Sequence, residues 1–206
     1  LSSFAISEKE ITYKSNNSKV ASIDSDGLVK AKKPGQATIT AKAGPASAKC
    51  RITVKKPTVK LSESEITLYR NATKKLKVTT NCTTSEVTFK SSKKRVATVD
   101  EKGRITAVSH GLAIITASIG GESASCIVNV MQPEVTLSTN EIRLKKGETF
   151  KLSAFVSSGN TPEWSSSNSA IATVSSGGTV KAKSKGKTFI YAKEDGIKAR
   201  CKITVE

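Results

Sequence analysis

Short runs of β-branched and aromatic residues alternate along this chain with glycine-, proline- and serine-rich turn segments. The longest uninterrupted apolar runs have four or five residues, and no segment keeps a 3.6-residue apolar stripe over three helical turns. Residues 37–41, 114–117 and 189–192 have the composition of buried strands. Residues 50–54, 126–130 and 201–205 alternate apolar and polar positions with a period of two. This pattern predicts an all-β protein built from short strands.

The same pattern returns three times along the chain. Val20 and Val96 are 76 residues apart, and Val96 and Ile171 are 75 apart. Four further positions recur at these offsets: Tyr13, Phe89 and Trp164; Ala31, Ala107 and Ala182; Gly35, Gly111 and Gly186; Cys50, Cys126 and Cys201. Five markers at one period predict a tandem array, each unit being a small β-sandwich of about seven strands.

Prolines mark the boundaries between units. A final strand meets Pro57 and then Pro133, and a new strand follows within a few residues each time. We therefore predict domains at residues 1–56, 57–132 and 133–206. Such short linkers do not behave as flexible tethers, so the array is expected to form a semi-rigid rod.

The first unit is expected to lack its first strand, because Leu1 aligns with Leu152 of the third unit. Three explanations stay open: the protein extends upstream, another chain donates the strand, or the unit tolerates the loss. We favour the first, since an unpaired strand edge promotes aggregation.

The charge and the residue content of the chain limit the classes of function that we expect. The chain has 206 residues with 34 basic and 17 acidic side chains, giving a formal charge of +17 that is spread over all three units. It contains a single histidine, His110, and no glycine-rich phosphate loop, C-x-x-C pair or H-E-x-x-H motif. No apolar run is long enough for a membrane-spanning helix. We therefore expect a non-enzymatic protein without a cofactor or membrane insertion, and a monomer.

One motif carries a family resemblance. The third unit reads Trp-Ser-Ser-Ser-Asn at 164–168, Ile-Ala-Thr-Val at 171–174, and then Gly178, Val180, Ala182 and Gly186. The other units repeat it with Tyr13 and Phe89 in place of the tryptophan. This resembles the bacterial immunoglobulin-like domain, group 2, over essentially the whole chain.

The resemblance implies an extracellular β-sandwich of bacterial or phage surface proteins. Family members related to the intimin and invasin adhesins serve as stalks for a terminal binding domain. Others bind host matrix or carbohydrate, or accompany enzymes that act on polysaccharides. No shared catalytic residue comes with the family, and the fold alone does not settle the function.

Lysines are the strongest candidates for binding. Four alternate in the third unit, at Lys181, Lys183, Lys185 and Lys187, and three lie at the equivalent place in the first unit, at Lys30, Lys32 and Lys33. Alternating lysines could meet the anionic groups of teichoic acid, glycosaminoglycan or nucleic acid. Aromatic interleaving of the kind used by single-strand binders is expected to be missing, so specific nucleic-acid binding is not predicted. Solubility and protection of strand edges explain the lysines equally well.

Other polar and aromatic candidates favour structural roles. Tyr13, Phe89 and Trp164 occupy one strand position and are predicted to fill the core rather than to stack on sugars. Asp24 and Asp26 resemble the start of a calcium loop, but the second unit matches only the first of them, with Asp100, and the third unit matches neither, so a tight turn with Gly27 is favoured. His110 is interpreted as a surface residue.

The four cysteines do not form an obvious framework. Three occupy the repeated inward position of the last strand and are predicted to be buried core residues. Cys82 is extra, and its strand could bring it towards Cys126, so a Cys82–Cys126 disulfide stays open beside free thiols.

Two functions follow from these observations. The first is a secreted or surface-anchored stalk or adhesion scaffold. The alternative is a module that binds a host-surface or cell-wall glycan, an anionic polymer or a host protein. Such a module could act alone, beside a catalytic domain outside this chain, or as part of a phage virion.

Overall fold

The computed structural model describes residues 10–83 and 87–206, and every regular element in these ranges is a β-strand. The predicted all-β class is thereby confirmed. The chain divides into two compact units, residues 1–58 and 59–206, of which the second contains two repeats. In the described ranges no helix is long and apolar enough to cross a bilayer. The segment around Leu1, aligned above with Leu152, lies outside the described residues.

The strands of the three repeats are numbered in chain order. The first repeat contains β1 (Thr12–Ser15), β2 (Ala21–Ile23), β3 (Val29–Ala31), β4 (Gly35–Ala43) and β5 (Ala46–Val54). The second contains β6 (Val59–Leu61), β7 (Glu65–Leu68), β8 (Thr73–Lys75), β9 (Val78–Thr80), β10 (Thr88–Ser91), β11 (Ala97–Val99), β12 (Arg104–Ala107), β13 (Gly111–Ile119) and β14 (Glu122–Val130). The third contains β15 (Val135–Leu137), β16 (Glu141–Leu144), β17 (Thr149–Lys151), β18 (Ala154–Val156), β19 (Glu163–Ser166), β20 (Ala172–Val174), β21 (Thr179–Ala182), β22 (Gly186–Glu194) and β23 (Ile197–Val205).

The second and third repeats share one topology. Each has a four-stranded sheet, in the order β10-β13-β14-β7 and β19-β22-β23-β16, and a three-stranded sheet, in the order β11-β12-β8 and β20-β21-β17. A two-stranded ribbon, β6-β9 or β15-β18, completes each repeat. The main core of the second repeat joins Ile66 and Ile115 of one sheet to Ile105 of the other, as a sandwich requires.

Nine strands per complete repeat exceed the predicted seven, because single segments switch sheets and count twice. Residues 59–68 are interrupted at Ser62–Ser64: β6 pairs antiparallel with β9, whereas β7 pairs parallel with β14. The segment from β8 to β9 divides in the same way around buried Leu76. Alternation within each short piece does not reveal such a switch.

The last strands confirm the predicted period-two pattern. Cys126, Val128 and Val130 of β14 are buried, and so are the equivalent residues of β23. In the first repeat Cys50 is only half-buried. There the sheet has the order β1-β4-β5, so within the described residues β5 pairs with β4 alone.

A serine hydrogen bond explains part of the repeated motif. Two residues after each motif aromatic, the Oγ of Ser15, Ser91 or Ser166 donates to the carbonyl at the start of the next strand, over 2.6, 2.6 and 2.7 Å. Each Oγ also accepts the backbone N–H two residues further on. The serine therefore satisfies two backbone groups at a point where the chain leaves one sheet for the other.

Candidate functional site

A buried carboxylate lies at the tip of the β22–β23 hairpin. The hairpin turns through Asp195 and Gly196, whose φ angles of +46° and +81° fit a two-residue turn of type I′. Glu194, the last residue of β22, is only 1% exposed. A buried carboxylate has to be paired, because its desolvation is costly.

Its main partner belongs to the second repeat. Arg70, just beyond β7, donates from Nε to Glu194 Oε1 over 2.7 Å. This hydrogen bond raises the pKa of Arg70, against the lowering effect of its own desolvation. The Arg70 side chain keeps 29% exposure, so the pair lies at the rim of the contact between the two repeats.

Two side chains of the third repeat also form hydrogen bonds to the Glu194 carboxylate. Asn160 donates from Nδ2 to Oε1 over 3.0 Å, and Ser158 Oγ lies 3.4 Å from Oε2. Asn160 Nδ2 also lies 2.9 Å from the backbone carbonyl of Arg70 and donates to it. Asn160 therefore binds both partners of the ion pair.

A second contact crosses the same junction. The backbone N–H of His110 donates to Asp195 Oδ2 over 2.6 Å, and the ring Nδ1 lies 3.1 Å from the same oxygen. The Asp195 side chain is 5% exposed and that of His110 is 40% exposed. His110 is thus at the surface, as interpreted from the sequence, but it also holds the neighbouring repeat. We name Arg70, His110, Asn160, Glu194 and Asp195 the junction residues.

The acidic hairpin tip belongs to the third repeat alone. The positions of Glu194 and Asp195 are occupied by Ile119 and Gly120 in the second repeat, and by Ala43 and Gly44 in the first. Sequence analysis missed the junction, although these substitutions in an otherwise regular repeat were the available signal. The junction holds oppositely charged side chains of two repeats against each other, as a structural joint does.

The third-repeat lysines divide between two sheets. Lys181 lies on β21 in the three-stranded sheet and Lys187 on β22 in the four-stranded sheet, with Lys183 and Lys185 in the connection. All four are exposed, as are Lys30, Lys32 and Lys33 of the first repeat. The expectation that no aromatic residues accompany them is wrong for Lys187, which shares the outward face of β22 with Phe189 and Tyr191.

All four cysteines, which fall within the described ranges, are free thiols. Cys82 packs beside the small cluster of Val87, Ala117 and Ile119, whereas Cys126 belongs to the main core of the second repeat. Cys82 and Cys126 therefore lie in different clusters of the structure, with no bond between them. Burial raises the pKa of the Cys126 thiol and raises that of Cys201 to about 11.

We expect the half-buried Cys50 and Cys82 to be alkylated first at about pH 8, because buried thiols stay protonated and inaccessible. Cys126 and Cys201 should react only on unfolding, as measured by mass spectrometry of the alkylated peptides. Alkylation of native Cys201 as fast as Cys82 would contradict this expectation.

The pKa of Cys201 also predicts a pH dependence of stability. Because folding raises this pKa from its ordinary value of 9.0 to about 11, the third repeat should lose stability as the pH rises from 9.0 through about 11.

The remaining candidate residues are the three motif aromatics and Asp24, and their surroundings fit roles in packing and in a turn. Phe89 and Trp164 are half-buried against the cores of their repeats, and Tyr13 is half-buried on β1. Asp24 Oδ1 accepts the backbone N–H groups of Asp26 and Leu28, which forms a turn with Gly27 at a φ of +80°. Among the described residues no group of three or more His, Cys, Asp or Glu side chains is placed to hold a metal.

Comparisons with known proteins agree with this architecture. The sequence profile of the bacterial Ig-like domain (group 2) matches residues 3–54, 56–128 and 132–202. The chain is similar to ice-binding protein 1 of Shewanella frigidimarina, with 27% identity over 94% of this chain, but it spans only 25% of that protein.

Two solved structures are among those that match the chain. The I9-I11 tandem of titin covers 97% of this chain, with 89% of its own length, 11% identity and a TM-score of 0.58. Domains 4–9 of the surface layer protein SbsC cover 96% of this chain, with 39% of their own length, 19% identity and a TM-score of 0.34. At these identities the titin likeness shows a tandem immunoglobulin-like fold and nothing about function.

Proposed function

The chain belongs to the bacterial Ig-like domain (group 2) family, and from that premise we propose that it is a non-catalytic scaffold located outside the cell. In this role it holds other parts of a surface or secreted protein at a distance and bears tension. The proposal rests on how the chain enters and leaves each complete repeat.

The observation that supports this proposal most strongly is a parallel pairing between a strand near the start of each complete repeat and the last strand of that repeat. In the second repeat β7 pairs parallel with β14, with Glu65 opposite Ile127 and Leu68 opposite Val130. In the third repeat β16 pairs in the same way with β23. Both sheets are otherwise antiparallel.

This pairing suits a protein under load. When the two ends of a repeat are pulled apart, β7 and β14, or β16 and β23, slide along each other. Their evenly spaced hydrogen bonds, among them Ile127 N to Ser64 O and Met131 N to Leu68 O, both at 2.8 Å, are then loaded together rather than one after another. Resistance to forced unfolding is set by the unfolding rate, which such shared loading slows.

The junction residues support the same role. Residues 131–134 alone connect β14 to β15, and the buried Glu194–Arg70 pair ties the next hairpin back onto the second repeat. A short connection with a buried polar contact favours one fixed arrangement over a hinge.

Single-molecule force spectroscopy on the full chain tests the proposal. We expect the second and third repeats to rupture as separate high-force events, each lengthening the chain by roughly 200 Å or more at about 3.3–3.6 Å per extended residue. Unfolding of both repeats at the low force of a peeling hairpin would contradict a role under tension.

A proline variant identifies the responsible contact. Met131→Pro removes the N–H that bonds to Leu68 and should lower the rupture force of the second repeat, while the third repeat serves as an internal reference. Met131→Ala keeps that N–H and should leave the force unchanged. Equal effects of the two variants would show that the parallel pairing does not carry the load.

A further inference from the structure

The outward face of β22 and β23 carries aromatic rings among cations. Along β22, Thr188, Ile190 and Ala192 are buried, so the alternating residues between them point away from the core. We name six of these outward residues the aromatic–cationic face. They are Lys187, Phe189, Tyr191 and Lys193 on β22, and Lys198 and Arg200 on β23.

The rings hold the cations in place. Tyr191 lies opposite Arg200 across the strand pair, and the contacts run along the diagonals. Lys198 Nζ lies 5.3 Å from the Tyr191 ring centre, and the Arg200 guanidinium lies 5.0 Å from the Phe189 ring centre. The two ring centres are 6.4 Å apart. Such cation–π contacts restrict the long side chains before any ligand arrives.

The positive charges of this face have no salt-bridge partner in the part of the chain that the structure describes. Among the described residues, no acidic side chain forms an ion pair with Lys187, Lys193, Lys198 or Arg200. Acidic residues lie instead on the two flanking strands: Glu163 on β19 opposite Lys193, and Glu141 on β16, whose carboxylate is 3.2 Å from Lys202.

The fold of a repeat does not require aromatic or cationic residues at these outward positions, because the other repeats carry different residues there. In the second repeat, Phe189 and Tyr191 are replaced by Ile114 and Thr116, and Arg200 by Ser125, so the same two outward rows carry no charge. In the first repeat the rows carry Lys42, Lys49 and Arg51 but no aromatic ring. Among the described residues, aromatic rings and cations share these two outward rows only on the third repeat.

We propose that the aromatic–cationic face binds an anionic polysaccharide through its carboxylate or sulfate groups. Guanidinium and ammonium groups form charge-assisted hydrogen bonds to both anions. The flanking Glu163 and Glu141 limit the positive surface to these two rows, which suits a single sugar chain lying along them. This binding site is independent of the proposed scaffold role under tension, so either proposal can fail without the other.

Binding of the full chain to heparin and to polygalacturonate, at about 150 mM salt, tests the site and separates sulfate from carboxylate recognition. We expect saturable binding to at least one of them, and none to neutral dextran. The double variant Lys198→Gln/Arg200→Gln should raise the Kd roughly tenfold. The matched control Lys181→Gln/Lys183→Gln removes the same charge elsewhere and should change it less than about twofold.

A second variant separates binding from folding. Phe189→Ile/Tyr191→Thr installs the second repeat's own residues, so the fold is retained while the supports of the cations are lost. It should weaken binding several-fold with the circular dichroism spectrum unchanged. Equal losses in the face and control variants would overturn the proposal. So would unchanged binding of the face variants, or tighter binding of single-stranded DNA than of either polysaccharide.

Discussion

Replacing Gly178 by alanine should destabilise the third repeat by about 3–5 kcal/mol. Gly178 has a φ of +84°, which is unfavourable for any residue with a Cβ. An added Cβ would also meet the carbonyl oxygen of Leu152 and lie 2.8 Å from Cζ2 of Trp164. Neither group can move easily, because Leu152 is fully buried and Trp164 packs against the core.

A matched control separates the two causes. Gly159 lies in the same repeat with a φ of +74°, but a Cβ there would meet no atom within 4 Å. Gly159→Ala should therefore cost only the backbone strain, about 1 kcal/mol. The free energies of unfolding from urea titration measure both effects. Equal losses for the two variants would contradict the close packing of glycine, tryptophan and Leu152.

Replacing Arg70 by alanine should destabilise residues 59–206 by about 3 kcal/mol, because it leaves the buried carboxylate of Glu194 without its cation. This value is at the lower end of the range of about 3–5 kcal/mol for removing one partner of a buried ion pair, since the Arg70 side chain is 29% exposed and water can enter in its place. Urea unfolding of the full chain, followed by Trp164 fluorescence, measures the loss.

The second repeat supplies the compensating residue. Ile119 occupies the position of Glu194, so Glu194→Ile is a replacement that this fold already accepts. In the Glu194→Ile background, Arg70→Ala should cost well under 1 kcal/mol, because no buried charge is then stranded. An undiminished loss in that background would show that Arg70 stabilises the chain by other contacts.

Local patterns were sufficient to predict most of the fold. Residues 59–61 and 135–137 form strands where new strands were expected after the prolines, and the last strands bury their predicted faces. These features depend on period-two alternation and on glycines at positive φ, both of which are visible within a few residues of sequence. The tandem immunoglobulin-like architecture followed from the spacing of the repeated motif.

The junction could not be predicted in the same way. Arg70 and Glu194 are 124 residues apart, and His110 and Asp195 are 85 apart, so no local pattern links them. The aromatic–cationic face was missed for another reason. Lys187 belongs to the predicted lysine row and residues 189–192 to a separate predicted strand, although period-two alternation places Lys187, Phe189 and Tyr191 on one face.

The central claim is that the second and third repeats form one fixed unit that can transmit position and load. Residual dipolar couplings of the full chain test it most directly, because they report the orientation of every backbone N–H bond in a common frame. We predict that the couplings of residues 59–83, 87–130 and 135–205 fit a single alignment tensor, and that Arg70→Ala makes the two repeats require separate ones. Two tensors of different magnitude in the unmodified chain would mean that the junction hinges, and would contradict the account.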